Sequence, residues 1–304
     1  MKNEMTTIAA NEILGRTFQM PFVNLDAARS CVAELKNEHR DEALQFLAER
    51  PVHTVVMSSF INDNGLESEL NRGKFFGCRN SEGELEGVAL IGHATLIEAR
   101  SDSAMRAFAA VARSSETAIN LIMSSGEDAD RFWAYYTNGL RQPRLTCKEL
   151  LFETAFPFMV SHCEYTVRNA SIDELKQIAE AQAEIAFLES GVDPLQKDRK
   201  GFLARVMRRI EQNRIFVVFE NGKLIFKADV IAEASDVTYI EGVYVAKEYQ
   251  GRGIGSRCLA SLNLQLFSKS STVCLLSNIE HAQAHKSFIK AGFRNSGSCT
   301  TLFV

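Results

Sequence analysis

One order of elements, written twice, constrains the fold of this chain more than any other feature. Apolar residues spaced three and four apart mark helices, and apolar runs between turn residues mark strands. In the first half, Asn24–Lys36 and Asp41–Glu49 read as helices, the second stopped by Pro51. His53–Phe60, Lys74–Cys78, Leu85–Ile91 and Thr95–Ala99 read as strands, with a hairpin turn at Asn80–Gly83. A helix over Ser103–Arg113, a strand over Ala118–Met123, a helix over Glu127–Tyr136 closed by Asn138-Gly139, and a strand over Glu149–Glu153 follow.

The second half repeats the order. Ser171-Ile-Asp-Glu174 is a capping box opening a helix through Ala186, and Asp198–Glu211 is a second, basic helix. Strands over Arg214–Phe219, Leu224–Ala232 and Val237–Val245 come next, the first two joined by a turn at Glu220–Lys223. Then come a helix over Gly255–Phe267, a strand over Thr272–Ser277, a helix over His281–Lys290 stopped at Gly292-Phe293, and a strand over Ser298–Val304. Such a coincidence predicts the duplication of one α/β unit. Local echoes support it: Leu96-Ile97-Glu98-Ala99 against Tyr239-Ile240-Glu241-Gly242, and Trp133 to Gly139 against His285 to Gly292. Glu98 to Gly139 spans 41 residues (139 − 98) and Glu241 to Gly292 spans 51 (292 − 241), so the first copy lacks about ten. At ~100–200 residues per domain, 304 residues make two domains, 1–161 and 164–304, with the boundary near Ser161–Glu164.

Composition narrows the class. Hydrophobic residues make up 46% and charged residues 24%, which excludes disordered, collagen-like and coiled-coil chains. No run of ~18 apolar residues exists, so no membrane span is expected. Glu4 and Glu12 interrupt the N-terminus where a secretory leader would need an apolar stretch. The net charge of −4 gives no drive toward nucleic acid. The basic run from Lys197 to Arg209 reads as a solvated helix face. Seven scattered cysteines without a C-x-x-C pair read as reduced thiols of a cytoplasmic protein.

The chemistry lies in Val243–Ser256. A strand ends there in Gln250-Gly251-Arg252-Gly253-Ile254-Gly255-Ser256, and a helix begins. Glycines at alternate positions let backbone N–H groups close on an anion, and the helix N-terminus adds about half a positive charge. A Walker loop needs Lys followed by Ser or Thr after its last glycine, and Ser256-Arg257 stands here. A dinucleotide loop needs an acid about twenty residues on, and none occurs from Tyr249 to Ile279. Arg252, Arg257 and Lys269 lie in that stretch instead and favour a ligand with several phosphates.

Gln250-Gly-Arg-Gly253-Ile-Gly255 also matches, residue by residue, the Q/R-x-x-G-x-G/A pattern of the GNAT family of N-acetyltransferases. The preceding strand ending Val243-Tyr244-Val245, the following helix and the Gly-Phe stop fit the same context. From about Glu164 to Val304 the chain resembles that family, and the whole resembles tandem-GNAT proteins whose first copy, here 1–161, has lost the coenzyme loop. The resemblance implies an α/β (α+β) fold of two GNAT-like domains, each a mixed, mostly antiparallel sheet flanked by helices. It implies acetyl-CoA as cosubstrate, an amine acceptor and no metal. The pyrophosphate would rest on Gln250 to Ser256, that is Gln250, Gly251, Arg252, Gly253, Ile254, Gly255 and Ser256. The pantetheine would pair with the backbone of Val243, Tyr244 and Val245, in a wedge opened by a bulge at Gly242. A backbone N–H near Val243 or Tyr244 would polarise the acetyl carbonyl.

Glu241 is the expected general base, because burial in an apolar strand would raise its pKa. Glu98, at the matching place in a copy without the loop, leaves open a structural role for both. The family often has Tyr four residues before the Gly of the Gly-Phe stop, to protonate the departing thiolate; here Phe288 stands there. Tyr244, His281 or water would have to replace it, and Asn278 would meet the pantetheine. His281 and His285 lack the Glu of a zinc motif, since residue 282 is Ala. Trp133, Tyr135 and Tyr136 read as packing, and Glu189 and Asp193 as groups able to meet a cationic amine. The alternative to an N-acetyltransferase is a non-catalytic acyl-CoA-binding or regulatory protein, which Phe288 favours.

Overall fold

The computed structural model describes residues 31–156 and 162–304. The first half contributes strand β1 (Val32–Glu34), helices α1 (Arg40–Leu47) and α2 (Pro51–Asn64), strands β2 (Gly73–Arg79), β3 (Leu85–Gly92) and β4 (Ala94–Ala99), helix α3 (Asp102–Ser114), strand β5 (Leu121–Ser125), helix α4 (Asp128–Thr137) and strand β6 (Leu145–Ala155). The second half follows the same plan: β7 (Arg168–Asn169), α5 (Leu175–Ser190), a single turn α6 (Pro194–Lys197), α7 (Arg199–Glu211), β8 (Ile215–Glu220), β9 (Lys223–Ala234), β10 (Val237–Val245), α8 (Ile254–Leu266), β11 (Thr272–Asn278), α9 (Ala282–Lys290) and β12 (Arg294–Phe303). Among the described residues no helix is long and apolar enough to cross a membrane.

The strands form one sheet, not two, in the order β1-β2-β3-β4-β5-β12-β6-β11-β10-β9-β8-β7. Pairing is antiparallel except for β4 with β5 and β10 with β11. The order is symmetric about its centre, where the halves exchange their last strands. β12 pairs with β5 of the first half, and β6 pairs with β11 of the second. The two exchanged strands then pair with each other from Arg294↔Glu153 to Phe303↔Leu145. The expected mixed, mostly antiparallel sheets are present, but each is closed by the other half's strand.

Helices cover both faces. On one, Ile254, Leu259, Leu262 and Leu266 of α8 pack on Phe226, Ile240, Val273 and Leu275. On the other, α5 and α7 lay Ile178, Val206 and Ile210 on Val217 and Leu224. The first half repeats the arrangement with α3 and α4 on one side and α1 and α2 on the other.

The structure corrects two elements of the sequence reading. His53–Phe60 lies within helix α2, and Pro51 opens that helix as its first residue. Thr54 Oγ1 donates to the carbonyls of Leu47 (2.6 Å) and Arg50 (3.0 Å), pinning the chain reversal. Its β-branched residues are buried on two sides, with Val55 packed against Leu151, Ala232, Tyr239 and Cys274 from the second half's side of the sheet. The second correction is at Asn24–Lys36: residues 24–30 lie outside those described, and Val32–Glu34 is an edge strand paired with β2. The expected boundary runs into residues 157–161, which also lie outside.

Strand exchange makes each half incomplete alone. Fragments 1–161 and 164–304 expressed apart are expected to aggregate or melt without cooperativity, and to form an equimolar folded complex when co-expressed. Circular dichroism melting and sedimentation check this; a monomeric, cooperatively melting fragment 164–304 would contradict the exchange.

Candidate active site

β10 and β11 are paired only at their starts. Val237–Ile240 runs beside Thr272–Leu275, after which each strand continues without the other. On its far side β10 slips register against β9: Glu241 faces Asp229 and Tyr244 faces Lys227. Gly242 and Val243 thus stand opposite the single residue Ala228, a bulge that Gly242 accommodates at φ +60°. The bulge bends β10 away from β11 and leaves a wedge in the sheet.

The loop after β10 leads from this wedge to the start of α8. Gly251 (φ +75°) and Gly253 (φ +74°) take left-handed conformations that side chains resist. Gly253 is the N-cap of α8, and among the described residues no side chain caps it. The first turn, Ile254-Gly255-Ser256-Arg257, carries no acid. Its N–H groups therefore remain available to an anion. A Cβ on Gly253 would come within 2.9 Å of Arg257 Nη1, and one on Gly255 within 3.0 Å of Val245 Cγ2.

The first half shows the opposite at the same place. From Glu98 to the start of α3 is 4 residues (102 − 98), against 13 from Glu241 to α8 (254 − 241), so nine of the missing residues fall here. Ser101 caps α3, its Oγ accepting from Ala104 N at 3.2 Å. Asp102 in the first turn is held by Arg106, Arg131 and Tyr135. Ser124 Oγ donates to Ile97 O at 2.9 Å and bridges the strands where the second half splays. That helix end is filled and acidic.

Two concavities meet at the wedge of the second half. One, of about 420 Å³, is lined by Val243, Val245, Gln250, Gly251 and Gly253 to Ser256, and by α9 residues including Gln283, Lys286 and Lys290. The other, of about 360 Å³, is lined by Glu149, Glu189, Glu241, Asn278 and His281, with Met123 and Phe303. Val243, Ala284 and Phe288 line both, so the wedge joins them through the sheet.

Several predicted residues stand elsewhere than expected. Tyr244 packs its ring toward the α5–α7 core and is not among the residues lining either concavity. Arg252 is exposed, its guanidinium 5.5 Å from the Tyr249 ring centre. Arg257 is engaged by Glu164 at 2.8 and 3.0 Å, and Lys269 lies beyond the far end of α8. Of the expected cluster of three cations, only Arg252 is therefore at the loop without a carboxylate partner among the described residues. Lys286 and Lys290 face the cleft instead. Their i, i+4 spacing on one helix was the available signal. Asn278 uses Oδ1 to accept from Glu280 N at 2.9 Å, and His285 Nε2 lies 3.0 Å from the Asn278 carbonyl. Phe288 is buried edge-on against Phe152 and Phe293. Asp193 caps Leu195 N at 2.8 Å, leaving Glu189 as the acid at the cavity. Trp133 donates Nε1 to Arg141 O at 2.8 Å and packs in the first-half core, as expected.

Glu241 is exposed, which overturns the burial expected of it. β11 has already left β10 at this point, so cover is lost one residue after buried Ile240. Tyr239 donates its hydroxyl to Glu241 Oε1 at 2.5 Å. Glu98, its counterpart, is buried and paired with Arg50 at 2.8 Å. Glu149, on exchanged strand β6, is half-buried. Burial pushes it up to about 7, opposed by a 2.6 Å hydrogen bond from Thr301 and aided by the nearby charge of Glu241. Glu189 is exposed yet lines the concave wall, and loss of solvation there with the charges of Glu241 and Glu149 pushes it to about 7 as well. Glu149 had no local sequence signal, because its place depends on which strand β6 pairs with.

Residues 211–295 match the family model described as the acetyltransferase (GNAT) domain. No curated protein sequence matches the chain. Among solved structures, a GNAT-family acetyltransferase from Colwellia psychrerythraea aligns over 90% of this chain and 98% of its own, with TM-score 0.56 and 13% identity. A tandem GNAT protein from the clavulanic acid biosynthesis pathway aligns over 90% and 97%, with TM-score 0.56 and 12% identity. A Drosophila protein aligns over 90% and 98%, with TM-score 0.67 and 10% identity. Residues 211–295 of this chain thus match a GNAT acetyltransferase domain, within an overall fold shared with solved GNAT proteins that include a tandem member.

Proposed function

We propose that the chain is an acetyl-CoA-dependent N-acyltransferase with one active site, in which 164–304 binds the coenzyme and 1–161 is a degenerate copy that completes the acceptor pocket. One observation carries this reading: the wedge between β10 and β11 connects an uncapped, glycine-lined helix N-terminus to a carboxylate-lined cavity. A coenzyme with its pyrophosphate at Gly251–Ser256 would thread its thioester through the wedge. Lys286 and Lys290 would meet its outer phosphates. The acceptor amine would approach from the Glu149 side.

The amine nitrogen attacks the thioester carbonyl carbon, forming the C–N bond as the C–S bond breaks. Glu149 receives the amine proton, since a carboxylate raised to about 7 is matched to that task at neutral pH. Glu241 and Glu189 attract the cationic acceptor before it is deprotonated. The thiolate takes its proton from water in the open cleft, because Phe288 has none to give.

Calorimetry with CoA tests the binding half. Gly253→Val and Gly255→Leu are expected to weaken affinity roughly tenfold or more, about 1.4 kcal/mol, by blocking the backbone approach. Unchanged affinity in a folded variant contradicts the loop assignment.

Glu149→Gln is expected to lower turnover by ~10²–10⁴-fold and to abolish an acidic limb near pH 7 in the pH–rate profile. Stability gives an independent readout. A carboxyl whose folded pKa is raised loses stability for the fold as pH climbs from its unfolded value near 4.5 to about 7, and the loss is constant above that. Glu149→Gln should therefore stabilise the protein at pH 8 by roughly 1–3 kcal/mol relative to its effect at pH 4. Phe288 favours a second reading, a non-catalytic acyl-CoA-binding protein. In that case CoA binds but no thiol is released with any amine, and Glu149→Gln changes stability alone.

A further inference from the structure

Beneath the bulge of β10 lies a cation with no solvent contact. Lys227 of β9 is fully buried, as is Asp229 two residues on, and their charged atoms are 2.7 Å apart. Asp229 also lies 3.6 Å from Arg209 of α7. The Lys227 amine donates to Gln182 Oε1 of α5 at 2.6 Å and to the carbonyl of Gly242 at 3.3 Å. Taking two charges out of water is costly, and an apolar pair of similar volume would fill the same space. What an apolar pair would not supply is a donor to the Gly242 carbonyl.

That carbonyl belongs to the peptide joining Gly242 to Val243. In a trans peptide the C=O and N–H point in opposite directions. With the Gly242 oxygen drawn toward Lys227, the Val243 N–H is turned to the other side. Gly242 and Val243 fall in the register shift of the β9–β10 ladder, between the pairs Glu241↔Asp229 and Tyr244↔Lys227. Val243 lines both cavities where they meet. A carbonyl that accepts a hydrogen bond also makes its own peptide N–H a better donor. The bulge is tightly built around this contact: a Cβ on Gly242 would stand 2.9 Å from both Gln182 Oε1 and Lys227 Nζ.

We propose that Lys227 is a positioning residue for acyl transfer: by holding the Gly242 carbonyl it aims and strengthens the Val243 N–H, which donates to the thioester oxygen as that oxygen gains negative charge. Gln182 and Asp229 fix the amine in place. The inference rests on the acyl-CoA reading given above.

The test measures the thioester directly. Acetyl-CoA carrying ¹³C at its carbonyl is bound to the full chain, and the carbonyl stretch is read by infrared difference spectroscopy. Affinities for acetyl-CoA and for S-ethyl-CoA, a thioether without that oxygen, are measured alongside. The native protein should shift the stretch to lower frequency than in water. Lys227→Met should lose most of that shift and reduce the preference for acetyl-CoA over S-ethyl-CoA by roughly tenfold, while S-ethyl-CoA affinity is retained. Turnover should fall roughly tenfold or more, with the KM for acetyl-CoA changing far less. If the single variant fails to fold, Lys227→Met/Asp229→Leu removes both buried charges together, and the same losses are expected. A folded variant that keeps the native shift and preference overturns the proposal, as does a native protein that binds acetyl-CoA with an unshifted carbonyl. A native protein that binds neither ligand overturns the acyl-CoA reading itself.

Discussion

The ladder between β6 and β12 is the contact on which the rest of the structure depends. Each strand is the last of its half, and each closes the sheet of the other half. Ten residues of β12 run antiparallel to the eleven of β6, with Cys299, Thr300 and Leu302 buried at the centre. Without this pair the sheet would divide into two open edges, and the carboxylate-lined cavity would lose a wall. The same ladder places Thr301 beside Glu149, so it also holds one of the carboxylates that line the cavity.

Two copies of one plan have been driven to opposite electrostatic ends. In the second half, three glycines and an uncapped helix present bare N–H groups, and a bulge parts β10 from β11. In the first, Ser101 caps the helix, Asp102 reverses its sign, and Ser124 ties the parted strands back together. The nine extra residues between Glu241 and its helix, relative to Glu98 and its own, account for most of that difference. The first copy keeps the buried acid, Glu98, only as the partner of Arg50. It serves the second copy by lending a strand, the α2 helix over the junction, and residues such as Met123 to the cavity wall.

Much of this was legible in the amino-acid order. Turns at Asn80–Gly83 and Glu220–Lys223, the capping box at Ser171, the period of α3 and α8, and the glycine loop all obey local rules, and local rules can be read locally. His53–Phe60 misled because an apolar, β-branched run is compatible with a helix buried on two sides as well as with a strand. Pro51, expected to stop the preceding helix, has a fixed φ that suits the first residue of the next one equally. Glu241 misled because its neighbours are apolar while its cover depends on β11, thirty residues away, having already diverged. The strand exchange, and with it Glu149, carried no local signal at all. β6 has the same composition whichever sheet it joins. Lys227 is similar: a lysine in an apolar strand has a meaning only once the bulge opposite it is known.

The account rests on a single open coenzyme site in a chain that contains two copies of the same plan. The binding stoichiometry of CoA to the intact chain, measured by titration calorimetry at neutral pH, tests this most directly. The account predicts one CoA per chain, bound by the second half alone. Two equivalents per chain, or saturable binding that survives disruption of the Gly251–Gly255 loop, would contradict it.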